Sequence, residues 1–131
     1  MKNYQELKQA HSKDIDNFGG IFFAFNQEQF KEGMEKVRLT ISDTKEIFSL
    51  GAGGYIRKDK SKDFEDMLER HTKERQELKK EEKTLLSALV YELQNHEYCI
   101  SGDTEPALNA LGFTKDEIDL KLLNKACRLA V

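Results

Sequence analysis

Between Ser61 and Asn95 apolar residues return at steps of three and four: Phe64, Met67 and Leu68, then Leu78, then Leu85, Leu86, Leu89, Val90 and Leu93. This is the stripe of a helix meeting a core. Run without interruption, such a helix is about 52 Å long, well beyond the radius of gyration of about 14 Å expected for a domain of this size. The ends of the stripe are apolar and its middle is not. Between Glu69 and Thr84 only Leu78 is apolar, and the heptad positions there hold His71, Arg75 and Glu82. A coiled coil needs apolar residues at both seam positions over several heptads, so this one fails in its centre. The expected form is one continuous helix with a wet middle, supported by i,i+4 pairs such as Glu69 with Lys73 at ~0.2–0.5 kcal/mol each. A break between Lys79 and Glu82 is the alternative, and an arm reserved for a partner is a third form.

At 131 residues the chain is expected to form a single domain, 1–131, large enough for a hydrophobic core without staples. Apolar content of 38% beside 34% charged residues gives a mean hydropathy of -0.69. No apolar run approaches the ~20 residues of a membrane helix. The opening MKNYQELKQA lacks the apolar stretch of a secretory signal, so the expected address is the cytoplasm and no membrane partner is expected. In a reducing compartment Cys99 and Cys127, both beside apolar neighbours, read as small buried hydrophobes rather than a disulfide. The net charge of -3 arises from 24 acids and 21 bases that are interleaved, so the global field exerts no strong pull on polyanions.

Tyr4, Leu7, His11, Ile15 and Phe18 place an amphipathic helix over residues 3–17, stopped by Gly19 and Gly20. His11 lies on its apolar stripe, as an edge-of-core residue. Ile21–Phe25 is a short aromatic-rich apolar run that reads as a buried strand. Asn26 and Gln29 have capping-box spacing, with Phe25 and Phe30 at the staple positions, so a helix starts at Gln27 and turns Phe30, Met34 and Val37 to the core. Gly33 in that helix costs ~1 kcal/mol against Ala and allows another element close.

Ile47–Leu50 and Tyr55–Lys58 read as strands around Gly51, Ala52, Gly53 and Gly54, a loop able to reach positive φ at its three glycines. A nest of backbone N–H groups in this loop, followed by Arg57, Lys58, Lys60 and Lys62, suits a phosphate or a nucleic acid. The spacing matches neither a Walker motif nor a dinucleotide fingerprint, so a plain hairpin turn is the simpler reading.

His96, Glu97 and Cys99 supply metal-ligand or acid/base chemistry within four residues. No second cluster accompanies them, and a zinc-protease helix would need histidine where Ile100 stands, so no metal, cofactor or catalytic residue is assigned. The simpler role of His96 is to sit near the carbonyls at the end of its helix. Thr104–Leu111 is a short helix with Pro106 early and Gly112 past its end. Thr114 with Glu117 forms a capping box, and Phe113 with Ile118 a staple, for a last helix from Lys115 to about Leu129.

Three segments, IFFAFNQEQFKEGM, GAGGYIRK and YELQNHEYCISGD, resemble an uncharacterised family of small proteins encoded by gut bacteria, their phages and mobile elements. The resemblance implies one compact domain and brings no catalytic residues. It also implies a mode of action, since small accessory proteins of such elements often bind a host protein, including as inhibitors of CRISPR nucleases or other defence systems.

These readings combine into an α+β fold: a three-stranded antiparallel sheet packed on the long central helix, with an N-terminal helix and a C-terminal helical pair. With no nucleophile–base set in view, the expected function is non-enzymatic binding of a protein partner. Its surface would be the polar middle of the long helix, Glu69, Arg70, Lys73, Glu74, Glu77, Glu81 and Glu82, together with the adjoining hairpin. The alternatives are a nucleic-acid or nucleotide site on Gly51, Gly53, Gly54, Arg57, Lys58, Lys60 and Lys62, and a metal-dependent enzyme around His96, Glu97 and Cys99. A homodimer that buries Leu78 against its symmetry mate is also open.

Overall fold

The long stripe is two helices. In the computed structural model, which describes residues 3–131, α3 runs Ser61–Gln76 and α4 Glu82–Asn95, separated by a 3-10 turn at Glu77–Lys80 and by Glu81 in extended geometry, φ -129 and ψ 115. Residues 77–83 are mostly Glu and Lys, good helix formers, so the break has no local cause. Tertiary contacts hold it instead. Leu78 is 1% exposed in a core with Leu85 and Leu89, and Lys79 forms an ion pair with Glu117 while its Nζ stands 5.0 Å from the centre of the Phe113 ring. The expectation of a continuous helix is thereby corrected, and so is the dimer through Leu78, which is spent inside its own subunit.

The remaining elements are α1 (Tyr4–Asp16), β1 (Ile21–Phe23), α2 (Gln27–Lys36), β2 (Ile47–Gly51), β3 (Gly54–Arg57), α5 (Tyr98–Ser101), α6 (Glu105–Leu111) and α7 (Leu120–Leu129). The fold is α+β. The chain divides into two compact units: the described residues up to His11 together with Arg70–Val131, and Ser12–Glu69. Helices α1 and α3 each contribute to both.

The helical unit is built on α4, whose Leu85, Ala88, Leu89 and Leu93 pack with Ala107, Leu108 and Leu111 of α6, Leu122, Leu123 and Ala126 of α7, and Tyr4 and Leu7 of α1. Each fully buried leucine contributes about 2 kcal/mol. Helix α6 ends as expected, with Gly112 at φ 75 and its N–H bonded to the carbonyls of Leu108 and Asn109. The capping box of Thr114 and Glu117 is present, but it closes a single 3-10 turn at Lys115–Glu117; Ile118 is extended, and the last helix begins only at Leu120. The reason is burial of Ile118, 6% exposed, which draws the chain into the core before α7 can start. Glu117, held by Lys79 and by the Thr114 N–H, has its carboxyl pulled down to about 2. Cys99 is exposed and Cys127 half-buried, both as free thiols, so the expectation of two buried cysteines is corrected at Cys99.

The sheet unit carries the antiparallel order β1-β3-β2. Phe22 opposes Tyr55 across the β1–β3 ladder, their rings stack at 5.3 Å, and Phe30 of α2 meets both edge-on at 5.8 and 5.2 Å. Met34 and Val37 complete this core. The start of α2 follows the sequence: the Asn26 side chain accepts from the Gln29 N–H, and the Gln29 side chain accepts from the Phe25 N–H. At its end Arg38 adopts φ 64 while the Leu39 N–H reaches back to the Met34 carbonyl, a left-handed cap made without glycine.

Candidate functional site

The second face of the sheet, opposite α2, is unusually apolar for a surface. Period-two alternation puts Ile21, Phe23 and Phe25 on that side, and the register sets Ile21 and Phe48 opposite Ile56, and Phe23 opposite Gly54. Ile56 is sealed, yet Phe23 is 63% exposed, Phe25 77%, Phe48 47% and Leu50 47%. The reading of Ile21–Phe25 as a buried strand therefore holds only for alternate residues, Phe22 and Ala24. Nor is the Phe25–Phe30 staple formed: Phe30 joins the ring cluster on the other face, and Phe25 lies over Gly53.

The glycines of the hairpin make room for these rings. A Cβ on Gly54 would stand 3.1 Å from the Phe23 ring and 3.4 Å from the Leu50 Cβ; one on Gly53 would stand 2.5 Å from the Phe25 ring. Positive φ falls on Gly51 (82), Ala52 (50) and Gly53 (81). Gly54 sits in β3, where it is needed for clearance rather than for conformation. Of the nest, the Gly51 N–H is taken by the Ser49 hydroxyl at 3.3 Å.

The basic residues near the hairpin are largely committed. Arg57 binds both Asp59 carboxylate oxygens, at 3.0 and 2.8 Å, and the Val37 carbonyl at 2.7 Å. Lys62 pairs with Asp66 at 2.9 Å. The Lys60 stem lies against Gly20, and the Lys58 ammonium stands 5.0 Å from the Phe48 ring centre.

The charged set of the long stripe is divided by the break, with Glu69, Arg70, Lys73 and Glu74 on α3 and Glu77, Glu81 and Glu82 on the turn and the start of α4. Glu69 is an exposed residue of the sheet unit; the others belong to the helical unit. Glu74 accepts from Arg70 at 2.6 Å, Glu77 pairs with Lys80 at 2.7 Å, Lys73 is exposed, and Glu81 and Glu82 straddle the break into α4. In the third set, His96 caps α4 with its Nε2 3.9 Å from Glu92, Glu97 takes φ 57, and Cys99 is exposed. Among the described residues no group of three or more His, Cys, Asp or Glu is arranged to hold a metal.

Two features of the helical unit escaped sequence reading. Glu92, fully buried on the apolar side of α4, is held by Lys8 of α1 at 2.7 Å. Burial first, and then the Glu92 charge, pushes the Tyr4 phenol above its ordinary range. The second feature is the His11–His71 pair, both rings buried. In each case the signal was a charged or polar residue at an apolar position of the helical repeat, Glu92 between Leu89 and Leu93 and His71 in phase with Leu78.

Fold and surface together define a small α+β protein with a helical unit, a three-stranded sheet unit and an exposed aromatic sheet face. The chain belongs to a family of unknown function, DUF7659, which it matches over residues 3–129. No curated protein and no solved structure matches it. No helix among the described residues is long and apolar enough to cross a membrane.

Proposed function

We propose that this is a non-enzymatic binding protein whose partner is another polypeptide, docked on the open sheet face of Phe23, Phe25, Phe48 and Leu50. The observation that carries the reading is the exposure of three phenylalanines and Leu50 on one face of the sheet, around a sealed Ile56. With ~200 Å² per aromatic side chain, these residues leave roughly 400 Å² of apolar surface open, the size at which a patch on a monomer is often functional. Exposed aromatics also suit stacking of single-stranded nucleic acid. Against that class, Arg57 and Lys62 are neutralised by Asp59 and Asp66, and acids outnumber bases in the sheet unit. The resemblance to proteins of phages and mobile elements extends the proposal to a cytoplasmic partner in a host defence system, which the protein would inhibit in the manner of an anti-CRISPR.

The test is affinity capture from host cells with the unaltered protein and with Phe25→Asp and Phe48→Asp variants whose melting is unchanged. A protein retained by the first and lost by both variants supports the reading. Equal retention by all three, or recovery of nucleic acid with salt-dependent affinity, overturns it.

A further inference from the structure

The sheet has a second unsatisfied feature, the outer edge of β1. The Gly20 carbonyl accepts from the Arg57 N–H at 2.9 Å and the Ala24 N–H donates to the Gly53 carbonyl at 2.8 Å. In an antiparallel ladder the hydrogen-bonding direction alternates along the strand. Gly20, Phe22 and Ala24 therefore turn toward β3, and the N–H and C=O groups of Ile21 and Phe23 turn away from it. They face a cleft of about 490 Å³ between β1, α2 and the end of α1, with Ile15, Phe18, Ile21, Phe22 and Phe23 among its apolar lining. Asp16 and Glu32 stand in the same lining, neither in an ion pair among the described residues, and Lys36 is its one base.

We infer that this cleft takes an extended segment of a polypeptide as a fourth strand on β1, with a lysine or arginine side chain of that segment reaching Asp16 and Glu32. The proposal rests on the reading of the protein as a polypeptide binder and names the form and charge of what it binds. Unpaired strand edges are templates for such addition, main-chain hydrogen bonds supplying affinity and side-chain pockets selectivity. About three to four residues at ~3.3 Å each match the length of β1. Phe23 lines both the cleft and the open face, so a partner entering here continues onto the surface already described. The excess of carboxylates selects a basic segment over an acidic one, and the unpaired acids become partners in charge-assisted bonds.

The experiment pans a displayed library of random peptides against the whole chain and measures the affinity of the best peptide by calorimetry. Enriched sequences should alternate apolar residues and carry a lysine or arginine. Ile21→Pro removes one outward N–H at the first position of a strand, where proline is tolerated, and should weaken binding about tenfold, whereas Ile21→Val should not. The double variant Asp16→Lys, Glu32→Lys should weaken it at least as much, and decides the matter alone if the proline variant misfolds. No enriched sequence, or affinities unchanged in both variants, overturns strand addition. Phe48→Asp separates the two ideas: partner capture lost with Phe48→Asp but retained with Ile21→Pro and with the lysine pair leaves the open-face reading standing and removes this one.

Discussion

His11 and His71 stack face to face, ring centroids 3.8 Å apart and planes inclined by 17°, one ring from α1 and the other from α3. His11 Nε2 is buried without a hydrogen bond, 3.6 Å from a Glu74 oxygen. Burial, and after it the neighbouring His71, holds the His11 ring below the ordinary histidine range; Glu74 opposes this and Arg75 reinforces it. A histidine depressed in the folded state binds fewer protons there than in the unfolded chain. Its contribution to stability is therefore complete above pH ~6.5 and is lost as pH falls through the lowered value. Melting temperature should drop between pH 7.5 and 5.5, and His11→Phe, which keeps a stacked ring without its proton, should flatten that drop. An unchanged slope in the variant would show that His11 does not set the pH dependence.

Glu92 predicts an asymmetric response to substitution. Lys8→Met leaves a fully buried carboxylate without its cation and should cost about 3 kcal/mol. Replacing both, Lys8→Met with Glu92→Leu, should cost much less, because the penalty lies in the orphaned charge rather than in the loss of the pair. Denaturant melts of the two variants and the parent check this. A double variant as unstable as Lys8→Met would mean that the carboxylate organises the core in some further way.

How much of this molecule was legible in its sequence depended on whether a signal was local. The hairpin, the Asn26 cap and the Pro106–Gly112 helix are fixed by residues a few positions apart, and each stands where the pattern put it. The break after Gln76 was legible only as the alternative set at Lys79–Glu82, because good helix formers occupy it and its cause lies in Leu78, Phe113 and Glu117. Phe23 and Phe25 misled for the opposite reason: an apolar run reads as buried, and nothing local says that their end of this sheet face stays open while Ile56 is sealed. The cleft on β1 depends on ladder direction, which follows from register and not from composition.

The hairpin turn contains a residue that disagrees with its conformation. Ala52 and Gly53 are both at positive φ, as a two-residue turn of this hand requires, and Asn-Gly is the pair such turns favour. Ala52→Asn should stabilise the protein by about 0.5–1 kcal/mol, since asparagine tolerates the left-handed region that alanine resists. Thermal melting would register this as a rise. A fall would mean that the Ala52 methyl makes a contact worth more than the strain.

Gly33 tests whether packing or helix propensity rules in α2. By propensity alone, alanine at this position should gain ~1 kcal/mol. Yet a Cβ there would lie 2.0 Å from the nearest carbon of the Phe22 ring, with two more ring carbons at 2.5 and 2.6 Å. Phe22 cannot swing aside freely, being 4% exposed and packed against Tyr55 and Phe30. Overpacking of this kind typically costs 1–3 kcal/mol, so Gly33→Ala should destabilise by up to about 2 kcal/mol once the propensity gain of ~1 kcal/mol is deducted. Phe22→Leu should itself be destabilising, but in combination it makes room for the new methyl. The double variant should therefore be more stable than the sum of the two single losses predicts, and a double-mutant cycle measures that coupling. Strict additivity would place the cost of Gly33→Ala in the backbone and not against the Phe22 ring.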